Sequence, residues 1–556
     1  MNPGLFVLGG GGAGGGSGAG GGKGKGGKQG ANGKNGGNDA KGGGKGACGQ
    51  GPGSDGGACP NNHGGSMGAK GGASQGDPVD MVSGEVFTYP VADVSLPGPL
   101  PLAIVRSYRT GAIERDVGLG WGWTHSLSWR IEQRRRSVIV HTFDGLEVSF
   151  GKVPDDTAIL GPHGWLLHRE GDGFLLEITD GTRYHFEPDV SEPGAGSYRL
   201  LAIRDRSDNR IALSYDSGLL TRVTDSVGRV VTVRRAATGH IAAYETLLRG
   251  GEPFVFARFR HDSEGNLVEA WDAEGHSMSF AYGPDHRITE KRHPTGLRFH
   301  YRHDAAGRCV ETWGDYGDAP DPCLSSDAPE LLGDGKTRAK GIHHVLLEYG
   351  PDGYTEAVDA TTIHATSGNA FGKVDKAVCA GKVFTRRYDA HGHLIEFIDP
   401  TGAVTRWERD FYGNETKVTD PLGHTTVLER DAAGDLLRIV DPEGGETTVE
   451  RTARMHRWVD PIGAVFEVRY DARGLTDEVI APTGHRRRYV HDAHGNLIEV
   501  HGALGGKWTD TYDELGRRRS FTSADGATTR LHHDRRGLLV CVEEPHGGVL
   551  RYGYDG

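Results

Sequence analysis

The residues of this chain best suited to chemistry are its carboxylates and histidines, and the carboxylates recur on a fixed beat. Asp389, Asp410 and Asp431 are followed by Asp471, Asp492, Asp513, Asp534 and Asp555. Every step is 21 residues except in one unit, where Thr452 takes the aspartate's place and two residues are missing. Aspartates can act as general acids or bases, but the residues that follow these argue otherwise. Three positions on comes a glycine: Gly392, Gly413, Gly434, Gly474, Gly495, Gly516 and Gly537. Ten positions on, a second corner opens as Asp399-Pro400-Thr401-Gly402, Asp420-Pro421-Leu422-Gly423, Asp441-Pro442-Glu443-Gly444 and Asp460-Pro461-Ile462-Gly463. Asp bonds the backbone ahead of it, Pro fixes φ, and Gly accepts a positive φ. These aspartates read as turn residues.

The histidines give no better candidate. His343-His344 and His532-His533 are paired, and His300 lies three before His303, but none forms a metal-protease pattern. His261, His303, His491 and His533 each precede a turn aspartate, which predicts structural use. Cys48, Cys59 and His63 fit no usual zinc spacing and lack a fourth ligand. There is no Gly-x-Ser-x-Gly elbow, phosphate loop or dinucleotide fingerprint. No catalytic, metal or cofactor-binding residue is expected, and no cofactor.

The elements that carry these corners follow from the spacing. Gaps of 10 and 11 residues leave room for strands of about six residues. Two before each second corner stand Phe397, Val418, Ile439, Trp458, Val479, Val500, Phe521 and Val542, all apolar. Their neighbours Glu396, Lys417, Arg438, Arg457, Glu478, Glu499 and Ser520 are polar. Opposite character at adjacent positions marks a half-buried strand. Each unit is thus a β-hairpin, and the predicted fold is all-β, a coiled ribbon of antiparallel hairpins. One unit cannot bury enough apolar surface to offset the ordering of its backbone, so units must stabilise one another. Corner counting gives on the order of thirty strands, and a ribbon that long should coil.

This pattern resembles the RHS/YD-repeat family, on the pairs Tyr388-Asp389, Tyr470-Asp471, Tyr512-Asp513 and Tyr554-Asp555, each followed by x-x-Gly where the sequence continues. His491-Asp492 and His533-Asp534 are variants. Further upstream, Gly76-Asp77-Pro78-Val79-Asp80, Leu96-Pro97-Gly98-Pro99-Leu100-Pro101-Leu102, Arg106-Ser107-Tyr108-Arg109 and Gly120-Trp121-Gly122-Trp123 resemble the small β-domain that precedes YD repeats in bacterial polymorphic-toxin proteins. The resemblance implies a hollow shell around a toxin, closed at one end by the N-terminal domain, and delivered with a secretion-machine spike or adaptor as partner. Such proteins end in a core motif and a variable toxin domain. This sequence stops at Tyr554-Asp555-Gly556, so both are expected to be missing from it.

Five regions are expected. Residues 1–76 hold 34 glycines, seven Lys and two Asp, and read as a disordered, mildly cationic arm. Residues 77–150 form the N-terminal β-domain, with strand-like runs at Leu102–Tyr108 and Leu127–Ile131, and with Trp121, Trp123 and Trp129 as core or plug residues. Residues 151–314 carry strands and the first repeats. Residues 315–380, with Pro320, Pro322 and a Gly/Lys-rich stretch, read as an insertion loop, and Cys323 and Cys379 near its ends as free thiols rather than a bridge. Residues 381–556 are the regular repeats.

The formal charge is −12, and the cationic arm leaves the rest at about −17, which argues against nucleic acid as a partner. No run is long enough for a membrane helix, and Met1 to Leu8 lacks the features of a signal peptide. Export, if any, would use another route to the cell surface or medium from a cytoplasmic pool. The leading expectation is a non-catalytic toxin shell. The alternative is a surface adhesin or glycan-binding repeat protein, and an enzyme within the insertion is disfavoured.

Overall fold

The computed structural model describes residues 73–554 apart from 192, 193, 195, 318–329 and 432. Most of the predicted arm (1–72), with Cys48, Cys59 and His63, lies outside the described residues, as do Cys323, Asp555 and Gly556. The described residues are β-structure without an α-helix; two three-residue 3-10 turns, Thr110–Ala112 and Pro162–Gly164, are their only helical segments.

One antiparallel ribbon of 36 strands runs in chain order from Ala158–Leu160 to Val549–Arg551. Each strand pairs with the next, mostly through a short corner, as register shows for Glu396↔Arg406 and Glu408↔Lys417; Cys309–Asp315 and Ile342–Tyr349 pair across the longer connection 316–341. The ribbon forks once. Ser197–Arg204 pairs with Arg210–Asp216 through Ala202–Arg204 and with Arg130–Gln133 through Ser197–Arg199. The latter strand continues into Ser137–His141 and Glu147–Gly151. Among the described residues Val549–Arg551 pairs only with Leu539–Glu543, so the ribbon's last edge is open.

A separate three-stranded sheet, Val91–Leu96, Leu102–Tyr108 and Trp123–His125, forms the N-terminal β-domain. The sheet covers only part of the 77–150 stretch. Strands from Arg130 onward belong to the ribbon, because Arg130, Ile131 and Glu132 have partners in Arg199, Tyr198 and Ser197. Structure also starts before residue 77: Ser74–Gln75 pairs with Val79–Asp80, and Ala73 is buried.

The insertion is shorter than expected. Ile342–Tyr349, Tyr354–Val358, Ile363–Gly368 and Val374–Cys379 are ribbon strands, with Leu347, Ala357 and Ala377 buried. Their corners use Pro351-Asp352-Gly353 and Asn369-x-x-Gly372 in place of an Asp-x-x-Gly, which hid the beat. Cys379 is in a disulfide whose partner lies outside the described residues, so the free-thiol reading is wrong for that residue. Cys309 and Cys541 are free.

The ribbon also returns alongside itself. Arg206 pairs with Asp435 at 2.7 Å, Asn209 Nδ2 donates to the Arg473 carbonyl at 2.8 Å, and Arg535 Nε donates to the Ala273 carbonyl at 3.0 Å. The Arg249 amide donates to Glu514. These partners lie 229 to 265 residues apart, about eleven to thirteen repeat units. Corners of an early stretch thus meet corners of a later one along a seam.

Candidate functional site

The Asp corners are built alike. At Asp389, the amide bonds the His393 carbonyl at 2.9 Å, and the Gly392 amide bonds the Asp389 carbonyl at 3.1 Å. This is a turn closed by a left-handed glycine, here at φ 81°. The carboxylate accepts the amides of His391 and His393 at 2.8 and 2.9 Å. Asp410, Asp471, Asp492 and Asp513 repeat the arrangement with Gly413, Gly474, Gly495 and Gly516. At the second corners, Asp399 and Asp420 hold the amides of Thr401, Ala403, Leu422 and His424, with Pro400 and Pro421 inside the turn and Gly402 and Gly423 closing it. Backbone amides hold the Asp389, Asp471 and Asp492 carboxyls below the usual range despite partial burial. Carboxylates so engaged are structural anchors rather than proton-transfer groups.

Tyrosine or arginine just before a first corner has a function that sequence reading missed. The Tyr512 hydroxyl donates to the Leu497 carbonyl at 2.9 Å, Tyr282 to Leu267 at 2.6 Å, and Tyr388 to Val374 at 3.0 Å. Arg409 and Arg430 occupy the same position and donate Nε to the Leu394 and Glu415 carbonyls. Each side chain reaches back one hairpin and ties it to the next. The signal was present, since most residues at this position are long hydrogen-bond donors, with histidine at His261, His303, His491 and His533. Read as a family marker alone, the tyrosine conceals the role that arginine shares.

The two faces of the ribbon differ in chemistry. Register carries one face from Phe397 through Trp407, Val418, Leu428, Ile439, Trp458, Val479, Val500, Trp508, Phe521 and Val542. The other bears a ladder of ion pairs, including Arg406–Glu396, Lys417–Glu408, Arg438–Glu429, Arg469–Glu478 and Lys507–Glu499. Apart from the buried Phe397, the apolar row is half-buried.

Earlier in the chain the same face is covered. Following the register back from Phe397 leads to Phe299, Phe280 and Phe259, all nearly fully buried. The N-terminal β-domain lies on them. Trp123 packs edge-on against Phe280 at 4.9 Å and donates Nε1–H to the Tyr282 hydroxyl at 2.9 Å. Arg106 lies 5.7 Å from both the Trp123 and Phe259 rings and 3.3 Å from Asp93. Tyr108 bridges the backbone of His286 and Ile288. Trp123 and Trp129 are buried, in keeping with core use. The Pro97–Pro101 turn is wedged into the seam. Leu100 bonds Ser226 on one side, while Pro97 and Pro99 press on Gly516 and Gly495 on the other.

Among the described residues no cluster of His, Cys, Asp or Glu could hold a metal ion. No helix of the described residues is long and apolar enough to cross a membrane.

Comparison with known proteins agrees with this architecture. The RHS repeat profile matches residues 388–425 and 412–446, and a domain of unknown function, DUF6531, matches residues 76–150. A probable deoxyribonuclease, RhsB of Dickeya dadantii (strain 3937), is 28% identical over 86% of this chain and 30% of its own length. RhsA of the same strain, also a probable deoxyribonuclease, is 33% identical over 38% of this chain and 15% of its own length. Double-stranded DNA deaminase toxin A of Burkholderia cenocepacia (strain H111) is 24% identical over 41% of this chain and 19% of its own length. The chain therefore spans less than a third of each of these relatives. Among solved structures, the TcdB2-TccC3-Cdc42 crystal structure aligns with a TM-score of 0.38 at 11% identity, over 81% of this chain and 26% of that one.

Proposed function

The chain is an RHS-repeat protein, and on that premise we propose that it is the wall-forming, non-catalytic part of a bacterial polymorphic-toxin protein, holding and helping to deliver a toxin polypeptide. The observation that carries this reading is the uncovered half of the apolar face. The N-terminal β-domain occupies the face at Phe259–Phe299, and the row from Trp407 to Val542 has the same chemistry without that cover. A half-buried apolar row of that length supports a binding surface for protein. The relatives support a division of labour. They are named for two different reactions on DNA, and each matches a stretch of this chain, which favours placing that chemistry outside the shared stretch. A spike or adaptor as delivery partner, and export without a classical leader, belong to the same proposal.

The test is protection. A reporter domain fused after Gly556 should resist protease in the native fusion and become cleavable when Trp458 and Trp508 are replaced by Glu. A reporter cut as fast as the free domain would overturn the reading. So would retention on a glycan array that is lost in Trp407→Ala or Trp508→Ala, which is the behaviour of an adhesin.

A further inference from the structure

Three histidines from the ribbon gather around one loop of the N-terminal β-domain, residues 116–122. Within the loop, Asp116 Oδ1 accepts the amides of Gly118 and Gly120 at 2.7 and 2.9 Å. The Gly118 carbonyl accepts the ribbon amide of Ile241 at 2.6 Å. Gly120 sits so close that a Cβ there would lie 2.6 Å from the Gly265 carbonyl oxygen. Trp121 donates to the Glu264 carbonyl at 3.0 Å and stacks on His286 at 5.2 Å.

The second oxygen of Asp116 lies 2.9 Å from His240 Nε2, and His240 Nδ1 lies 3.0 Å from the Thr238 hydroxyl. A neutral His240 fits both contacts, donating to the carboxylate and accepting from the hydroxyl. His240 in turn stacks on His261, with ring centroids 4.5 Å apart and planes 17° apart. His261 bonds the Leu119 backbone through one nitrogen, and its Nε2 is buried with no hydrogen-bond partner.

One carboxylate thus faces two stacked imidazoles. A proton on His240 completes an ion pair with Asp116. A proton on His261 places an N–H in a buried position without an acceptor, against a ring that is already charged. The other charged or titratable groups around the pair are Arg235, Asp262 and His286. Arg235 is positive and donates to the Leu220 and Gly239 carbonyls. The Asp262 carboxylate is taken up by Glu264 and Asn266 of its own corner. His286 is engaged with Asn266. Asp116 and Asp262 favour a proton on His261, but burial and the neighbouring His240 outweigh them.

We propose that the His240–His261 stack is an acid-released latch, which clamps residues 116–122 to the ribbon while His261 is neutral and frees them when both rings are charged. Burial, and then the neighbouring His240, hold the His261 pKa below its ordinary value. The sign follows: the clamped state is favoured above the free histidine's pKa of about 6.5 and loses ground as pH falls below it.

Hydrogen exchange on the full chain tests this, with protection factors corrected for intrinsic rates. Between pH 7.5 and 5.5, protection of the Gly118, Gly120 and Ile241 amides should fall by up to about tenfold, the limit for one histidine kept neutral in the clamped state. His261→Asn keeps a donor for the Leu119 backbone and cannot be charged, so its protection should stay flat over that range. His240→Gln keeps the donor to Asp116, and should shrink the fall by removing the opposing charge. Unchanged protection in the wild-type chain would overturn the proposal, and so would an equal fall in both variants. Should His261→Asn not fold, the His240→Gln result alone decides.

Discussion

A Tyr-Asp pair in this chain makes two separable contributions. The tyrosine ties neighbouring hairpins through its bond to the Leu497 carbonyl, with a longer contact to Asp510 at 3.4 Å, so Tyr512→Phe should cost about 1 kcal/mol. The aspartate accepts the amides of Leu515 and Arg517 at 3.0 and 2.8 Å and also pairs with the Arg517 guanidinium. Asp513→Ala leaves those donors without their acceptor and should cost about 1–3 kcal/mol. A repeat array need not unfold in one step. The comparison is therefore made on amide exchange at Leu515 and Arg517, where Asp513→Ala should give the larger loss of protection. A second residue-scale expectation concerns acid. Burial pushes His125 and His293 down to about 4. Each contributes stability that is present above about 6.5 and is lost as pH falls towards 4. Asp93 opposes them: burial outweighs Arg106 and pushes it up to about 6, so its contribution is present below the free aspartate value and is lost as pH rises through 6. Two histidines against one carboxyl, with His261, His303 and His185 also held low by burial, should lower the thermal midpoint between pH 6.5 and 4.5. His293→Asn should reduce that drop, and a midpoint that rises in acid would contradict the balance.

Hairpins were legible in the sequence because their corners are local. Asp399-Pro400-Thr401-Gly402 states a turn within four residues, and the alternation of Glu396 and Phe397 assigns the faces. The reading failed where pairing is distant. Nothing local in Arg130–Gln133 announces that it joins Ser197–Arg199, so the sheet to which these residues belong is not legible in the sequence. The stretch after Ile342 reads as a loop in sequence because its corners abandon the Asp-x-x-Gly spelling while keeping the geometry. At the candidate site the apolar row was readable, but its cover was not, because Trp123 and Phe280 meet only in three dimensions. The same distinction separates glycines that look identical in sequence. Gly423 and Gly516 both have positive φ, at 88° and 81°. A Cβ on Gly423 meets nothing within 4 Å, whereas one on Gly516 falls 2.4 Å from Pro97. Gly423→Ala should therefore cost about 1 kcal/mol or a little more from backbone strain alone. Gly516→Ala should cost more and also loosen residues 96–101, seen as faster exchange at the Leu100 amide. Equal effects of the two substitutions would remove the Pro97–Pro101 turn from the seam.

At the scale of the molecule, two kinds of interaction hold the ribbon. Along it, strands share backbone ladders and a mostly apolar face, which salt affects little. Across the seam, the contacts are largely ionic or polar: the guanidinium groups of Arg206 and Arg536 pair with Asp435 and Asp272, and the backbone amides of Arg249 and Arg535 donate to the Glu514 and Glu274 carboxylates. Exposed pairs of this kind contribute about 0–1 kcal/mol each and are screened at distances beyond about 3 Å in 1 M salt. The seam should therefore open before the hairpins do. Raising salt from 0.1 to 1 M should speed exchange at the corner amides of Asn209 and Gly275 while leaving mid-strand amides such as Val427 unchanged. Arg535→Glu removes the bond to the Ala273 carbonyl and sets a carboxylate near Glu274, and should reproduce that pattern at low salt near Gly275 alone, since Asn209 is tied to Arg473 and not to Arg535. A uniform response of strands and corners would mean that the seam and the ladders open as one unit. In that case coiling would be inseparable from hairpin formation, and the ribbon could not admit a polypeptide by parting its turns.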